Sequence, residues 1–318
     1  MTETQFHNRR AVQIENGSVR VTVTIEGGHI AEILDKASGV SPLWIPPWPS
    51  IEPSTYRLER HPEYGNDAES RLLCGIMGHN LCLDLFGAPS PEEAAAGMVV
   101  HGEAALWPYE ITATHGALTA KVTLPIAQMT FERHIRVVGR RVQVRETVKN
   151  LIPLDRPIAW TQHVTLGPPF LDPGSTQFRV PSARSQALEG STDASGYTAH
   201  LLKDENDRAF FIAYSPASRV AFGYVWSWSD FPWLGIWHEN RGRTHAPWNG
   251  RALTRGMEFG VSPFPESRRQ MIDRGTFFDT PCYRWVPAKS DVTVEYYAGI
   301  AQAPAIPETL AAFDALTI

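Results

Sequence analysis

Near the start of the chain, apolar β-branched residues stand at every second position: Val19, Val21, Val23 and Ile25, separated by Arg20, Thr22 and Thr24. A period of two fits an extended strand with one buried face and does not fit a helix, whose apolar stripe recurs every three or four residues. Gly27-Gly28 interrupts the run and an apolar pattern resumes from His29 to Leu34, so the pair reads as a hairpin. Similar stretches recur at 118–124, 129–138, 141–148, 208–214, 219–226 and 292–299, bounded by Gly, Pro, Asn or Asp. Helical signals are confined to one short turn at 91–98 and a terminal segment at 307–316, with Pro307 in its first turn. Strands following strands without crossover helices predict an all-β chain, a large antiparallel β-sandwich.

The 318 residues allow one large sandwich or two lobes divided near residue 150. No Gly/Ser- or Pro-rich linker separates two halves, and no repeat suggests a propeller or solenoid. The proline-dense segment 41–53 carries Trp44 and Trp48 and is expected to pack as a loop.

A net charge of −5 with no basic run beyond pairs such as Arg140-Arg141 argues against a nucleic-acid partner. No stretch approaches the roughly 18 apolar residues of a membrane span. Residues 1–10 are polar and lack the apolar core of a signal peptide, which predicts a cytoplasmic protein. A monomer or homodimer is expected. Cys74, Cys82 and Cys282 are odd in number and lack CxxC spacing, as expected of small buried hydrophobes in a reducing compartment. His79, His238, His245 and Glu239 lack the tight spacing of a ligand set, so no metal is expected.

P-loop, dinucleotide, zinc-protease and serine-hydrolase motifs are absent. What remains is a set of histidines and one glutamate among aromatics and glycines. His101 precedes Gly102 after a long loop, a setting for a ring directed into a cleft or into solvent. In the run 160–167, alternation puts Gln162, Val164 and Leu166 on one face and Thr161, His163 and Thr165 on the other. Glu258 sits in Gly256-Met257-Glu258-Phe259-Gly260, where burial would raise its proton affinity. Phe222, Tyr224, Trp226, Trp228, Phe231, Trp233, Trp237 and Trp248 form the densest aromatic stretch. About half are assigned to the core and the rest to a groove whose flat walls suit the C–H faces of a sugar.

Gly27-Gly28-His29-Ile30, His101-Gly102 with Trp107, the strand bearing His163, and Gly256-Met257-Glu258 occur in the order seen in the galactose mutarotase-like family. The chain resembles aldose 1-epimerases and their relatives over most of its length, and Arg71 to Gly87 also resembles the sugar-phosphate branch. The resemblance implies one supersandwich domain over residues 1–318 and cofactor-free interconversion of the α and β anomers of a hexose or related sugar. It implies Glu258 as base, His163 as acid and His101 as a donor to the ring oxygen, with Arg71 and His79 contacting hydroxyls. At Trp233 to Asn240, where relatives carry a hydroxyl-binding stretch, Trp237, His238 and Glu239 are the candidate contacts, although His238 or Glu239 equally suits a turn cap. The alternatives are a non-catalytic carbohydrate-binding protein, a phosphosugar epimerase with Arg71, Arg241 and Arg243 as anion ligands, and a glycosidase pairing Glu258 with Glu239 or Asp172.

Overall fold

The structure, a computed structural model, describes residues 2–318. Its strands form two large antiparallel sheets packed face to face. The first runs, in spatial order, through Thr2–Phe6, Arg9–Glu15, Val19–Thr24, Ile30–Asp35, His79–Asp84, Arg156–Leu166, Leu253–Gly260, Trp233–Asn240, Ser195–Leu202 and Ser182–Ala187. A short strand, Arg284–Val286, pairs with the start of Arg156–Leu166. The second sheet runs Gln177–Arg179, Arg208–Ser215, Val220–Ser227, Asp291–Gln302, Arg141–Asn150, Met129–Val138, Ala117–Leu124 and Glu110–Thr114.

The period-two reading holds where apolar residues alternate. Met129–Val138 buries every second residue, and Phe131, Ile135 and Val137 enter the core beside Val142, Val144 and Val148 of the next strand. The 19–34 hairpin forms, with Val21 opposite Ile33. The terminal helix starts later than expected, at Leu310, because the Thr309 side chain caps it by accepting from the Ala312 N–H (3.1 Å). Pro307 therefore lies outside it. A helix at Arg268–Arg274, capped reciprocally by Ser267 and Gln270, gave no signal beyond that capping box. Trp44 and Trp48 are buried in a second apolar cluster with Tyr64 and Trp248, which fixes the irregular 41–53 segment against the first sheet.

Of the eight aromatics from Phe222 to Trp248, Phe222, Tyr224, Trp226 and Phe231 fill the space between the sheets, and Trp228 packs against that core. Trp233 is fully buried, its indole N–H donating to the Pro281 carbonyl (3.0 Å). The core therefore claims more than half of them, because the strand Val220–Ser227 lies centrally in its sheet.

A polar network is embedded between the sheets. Glu146 accepts from Arg133 Nε (2.7 Å), Tyr296 Oη (2.7 Å), Trp160 Nε1 (3.1 Å) and Gln162 Nε2 (2.6 Å). Arg133 and Glu146 are both buried, so breaking the pair strands a charge in a low-dielectric interior. Glu146→Leu is expected to cost about 3–5 kcal/mol of stability in urea unfolding. The double replacement Arg133→Met/Glu146→Leu should lose less than the single one; an equal or larger loss would contradict this account of the network.

Candidate active site

The strand Arg156–Leu166 sorts its side chains between two environments. Trp160, Val164 and Leu166 join the core, while His163 and Thr165 line a cavity of about 420 Å³ on the opposite face of the first sheet. In register, His163 lies opposite Glu258, so both side chains share that face. His163 Nε2 stands 3.2 Å from Glu258 Oε1, and His163 Nδ1 stands 3.1 Å from Thr165 Oγ1. Space for the carboxylate comes from glycine: a Cβ at Gly256 would collide with Glu258 Oε1.

His101 reaches the same cavity from the 86–107 connection. Its backbone is left-handed (φ 63°), and the following Gly102 packs so tightly that a Cβ there would strike the Leu83 carbonyl. His101 Nδ1 donates to the Phe86 carbonyl (2.6 Å), which leaves Nε2 unprotonated in the neutral ring. Its ring centroid lies 5.2 Å from that of His163.

Burial dominates the proton affinities. It pushes Glu258 up to about 8 and, aided by the nearby His101, pushes His163 down to about 3. His101 is also lowered by burial; Glu69 opposes that shift and Arg243 adds to it. At neutral pH the pair thus holds one proton, on Glu258, which donates to a neutral imidazole.

The other expected contacts divide. Trp237 lines the cavity, its ring 6.1 Å from that of His163, and Trp248 and Trp44 line it too. His79 does not: it belongs to the core-facing row, where Nε2 donates to Gln162 Oε1 (2.8 Å) and Nδ1 accepts from Tyr224 Oη (3.0 Å). Arg71 is exposed on the short helix Ser70–Leu73, whose buried Leu72 and Leu73 take the cavity side instead. Alternation turns His238 away from Trp237, and its Nε2 donates to the Thr192 carbonyl (2.6 Å), so the turn-bracing role applies. Glu239 is buried but lies behind the cavity wall, where it accepts from the backbone N–H groups of Gly242 and Arg243. Asp172 is exposed in a turn with Gly174 and Ser175, so neither carboxylate named as a glycosidase partner joins Glu258 in the cavity.

Arg243, expected only as an anion ligand of the phosphosugar alternative, lines the cavity, and Tyr197 and Glu69 line it without a sequence signal, because a neighbouring strand and a loop bring them there. Cys74, Cys82 and Cys282 are buried free thiols. Among the described residues, no helix is long and apolar enough to cross a membrane.

No family model and no curated protein sequence matches this chain. Solved structures do. A protein provisionally named an aldose 1-epimerase, from Klebsiella pneumoniae, superposes with a TM-score of 0.73 over 97% of this chain and 82% of its own, at 14% identity. A galactose mutarotase-like protein from Lactobacillus casei gives 0.61 over 91% and 99%, at 14% identity. A galactose mutarotase-like protein from Clostridium acetobutylicum gives 0.62 over 95% and 98%, at 12% identity. The chain has the galactose mutarotase-like fold, as the ordered motifs imply.

The buried carboxyl has a consequence for stability. Because folding raises Glu258 from its ordinary 4.5 to about 8, its contribution is complete below about pH 4.5 and is lost as pH rises through 8. His163, lowered from 6.5 to about 3, contributes above 6.5 and loses that contribution as pH falls through 3. Glu258→Gln should therefore gain melting temperature relative to the parent as pH rises from 5 to 9. A constant difference across that range would contradict a buried, raised carboxyl.

Proposed function

We propose that this chain is a cofactor-independent sugar isomerase of the aldose 1-epimerase kind, a single domain that interconverts the α and β anomers of a hexose or related sugar. The observation that carries the reading is the buried His163–Glu258 contact at 3.2 Å, with one proton held between two groups whose affinities burial has shifted in opposite directions. Interleaving of strands from both halves around that contact supports one domain. Three unpaired buried cysteines suit a reducing, cytoplasmic setting.

Ring opening requires a proton to leave the C1 hydroxyl and another to reach the ring oxygen as the C1–O5 bond breaks. Transfer within the pair gives a Glu258 carboxylate and a His163 imidazolium. Glu258 then takes the hydroxyl proton while His163 delivers its own to O5, and the C1–O5 electrons pass to the oxygen. The open aldehyde rotates about C1–C2 and recloses with the transfers reversed, so the pair ends as it began, with one proton. His101 Nε2, unprotonated in the neutral ring, accepts from a sugar hydroxyl beside the reacting carbon instead of donating to the ring oxygen, and Trp237 offers an apolar face to the sugar C–H groups. Proton transfer alone accomplishes the reaction.

Polarimetry on fresh α-glucose and α-galactose, backed by exchange NMR, tests the reading. Glu258→Gln should lower kcat/KM by about 10²- to 10⁴-fold, as expected for loss of a general base. Because the active form carries one proton, kcat/KM should fall about tenfold per pH unit above about 8. Anomerisation no faster than buffer across a sugar panel would overturn the isomerase reading, and saturable binding without turnover would make the chain a carbohydrate-binding protein.

A further inference from the structure

Arg243 is a guanidinium lining the cavity, held there by several groups at once. Its Nε lies 3.4 Å from the buried Glu239, and its Cζ sits over the rings of Trp248 (4.7 Å) and Trp237 (5.5 Å). Glu239 itself is pinned by two backbone N–H groups, so the anchor is rigid. On the other side Arg243 Nη1 meets Glu69 Oε2 at 3.5 Å, a long contact to a partly exposed carboxylate that also lines the cavity. Both charges are near enough to His101 to move its proton affinity in opposite directions. A guanidinium has five N–H donors in a fixed fork, and here it makes ion-pair contacts but no close hydrogen bond from its side chain. The Trp248 ring, 3% exposed, backs this guanidinium from within the buried cluster it forms with Trp44 and Trp48.

Arg243 and Glu69 thus set donors and one acceptor on a common wall beside the acid/base pair. A sugar hydroxyl both donates and accepts: its lone pairs suit Arg243, and its proton suits Glu69. The charge balance narrows the ligand further. Two carboxylates, Glu69 and Glu239, face one guanidinium, and Glu189 adds a third at the cavity wall. A phosphate dianion would meet no uncompensated cation there, whereas a neutral diol needs none.

We propose that Arg243 and Glu69 form a subsite for uncharged ring hydroxyls, so that the protein acts on unphosphorylated sugars. The proposal rests on the isomerase reading for its kinetics but not for its binding. Exchange NMR with glucose, galactose and glucose 6-phosphate gives kcat and KM for the parent protein, Arg243→Gln, Arg243→Lys and Glu69→Gln. Saturation-transfer NMR reports binding of the same sugars. The expected result is at least tenfold lower kcat/KM for the phosphate ester. Arg243→Gln should raise KM for the free sugars at least tenfold with kcat within about threefold, and Glu69→Gln a few-fold. Arg243→Lys, which keeps the charge opposite Glu239 but loses the fork, should keep the fold and still raise KM. A preference for the phosphate ester, or an unchanged KM in both Arg243 variants, would overturn the subsite. If the parent protein turns over no sugar, the isomerase reading fails alone. Free-sugar binding that weakens in the Arg243 variants would then still support the subsite, and binding that stays equal would overturn it.

Discussion

Everything at the cavity depends on how one strand is held from behind. Trp160 and Gln162 point into the sandwich and donate to Glu146, which Arg133 and Tyr296 also engage. The residue between Gln162 and the core Val164 is His163, on the opposite face. A slip of one residue would exchange those faces, putting an imidazole into the core and an apolar side chain into the cavity. The network therefore sets the register that delivers His163 opposite Glu258. Such buried ion pairs contribute little net stability over apolar packing, and here the pairing works as a positional constraint on the strand.

The cavity side uses burial differently. In the core, charges are matched and saturated with hydrogen bonds. At the His163–Glu258 contact, burial is incompletely compensated, and both groups are driven toward their neutral forms. Two groups of opposite ionisation type that share one proton can lend and recover it within a single turnover. Arg243, stacked on Trp237 and Trp248, shows the third pattern: a charge balanced by carboxylates yet left with donors for a ligand.

Much of this was readable from the sequence because strand alternation is local. The strands at 129–138 and 141–148, the latter running on to Asn150, and the opposite faces of Gln162 and His163 follow from period two alone. The ordered motifs likewise brought His101, His163 and Glu258 to one cavity. His79, which the resemblance put among the hydroxyl contacts, instead falls by strand register in the core-facing row with Leu81 and Leu83. Arg71 and Arg243 cannot be distinguished by sequence, since each lies outside the regular strands and only the packing of Leu72, Leu73 and the Glu239 anchor sorts them. Trp44 came from an irregular loop with no periodicity to reveal its facing.

The central claim is that Glu258 and His163 share a single proton that rests on the carboxyl at neutral pH. Carbon-13 NMR of glutamate-labelled protein, with the Glu258 carboxyl resonance assigned by its loss in Glu258→Gln, reads that proton directly. The account predicts a protonated carboxyl at pH 6 that ionises as pH rises through about 8, with His163 neutral throughout. A carboxyl already ionised at pH 6 beside a protonated His163 would contradict it.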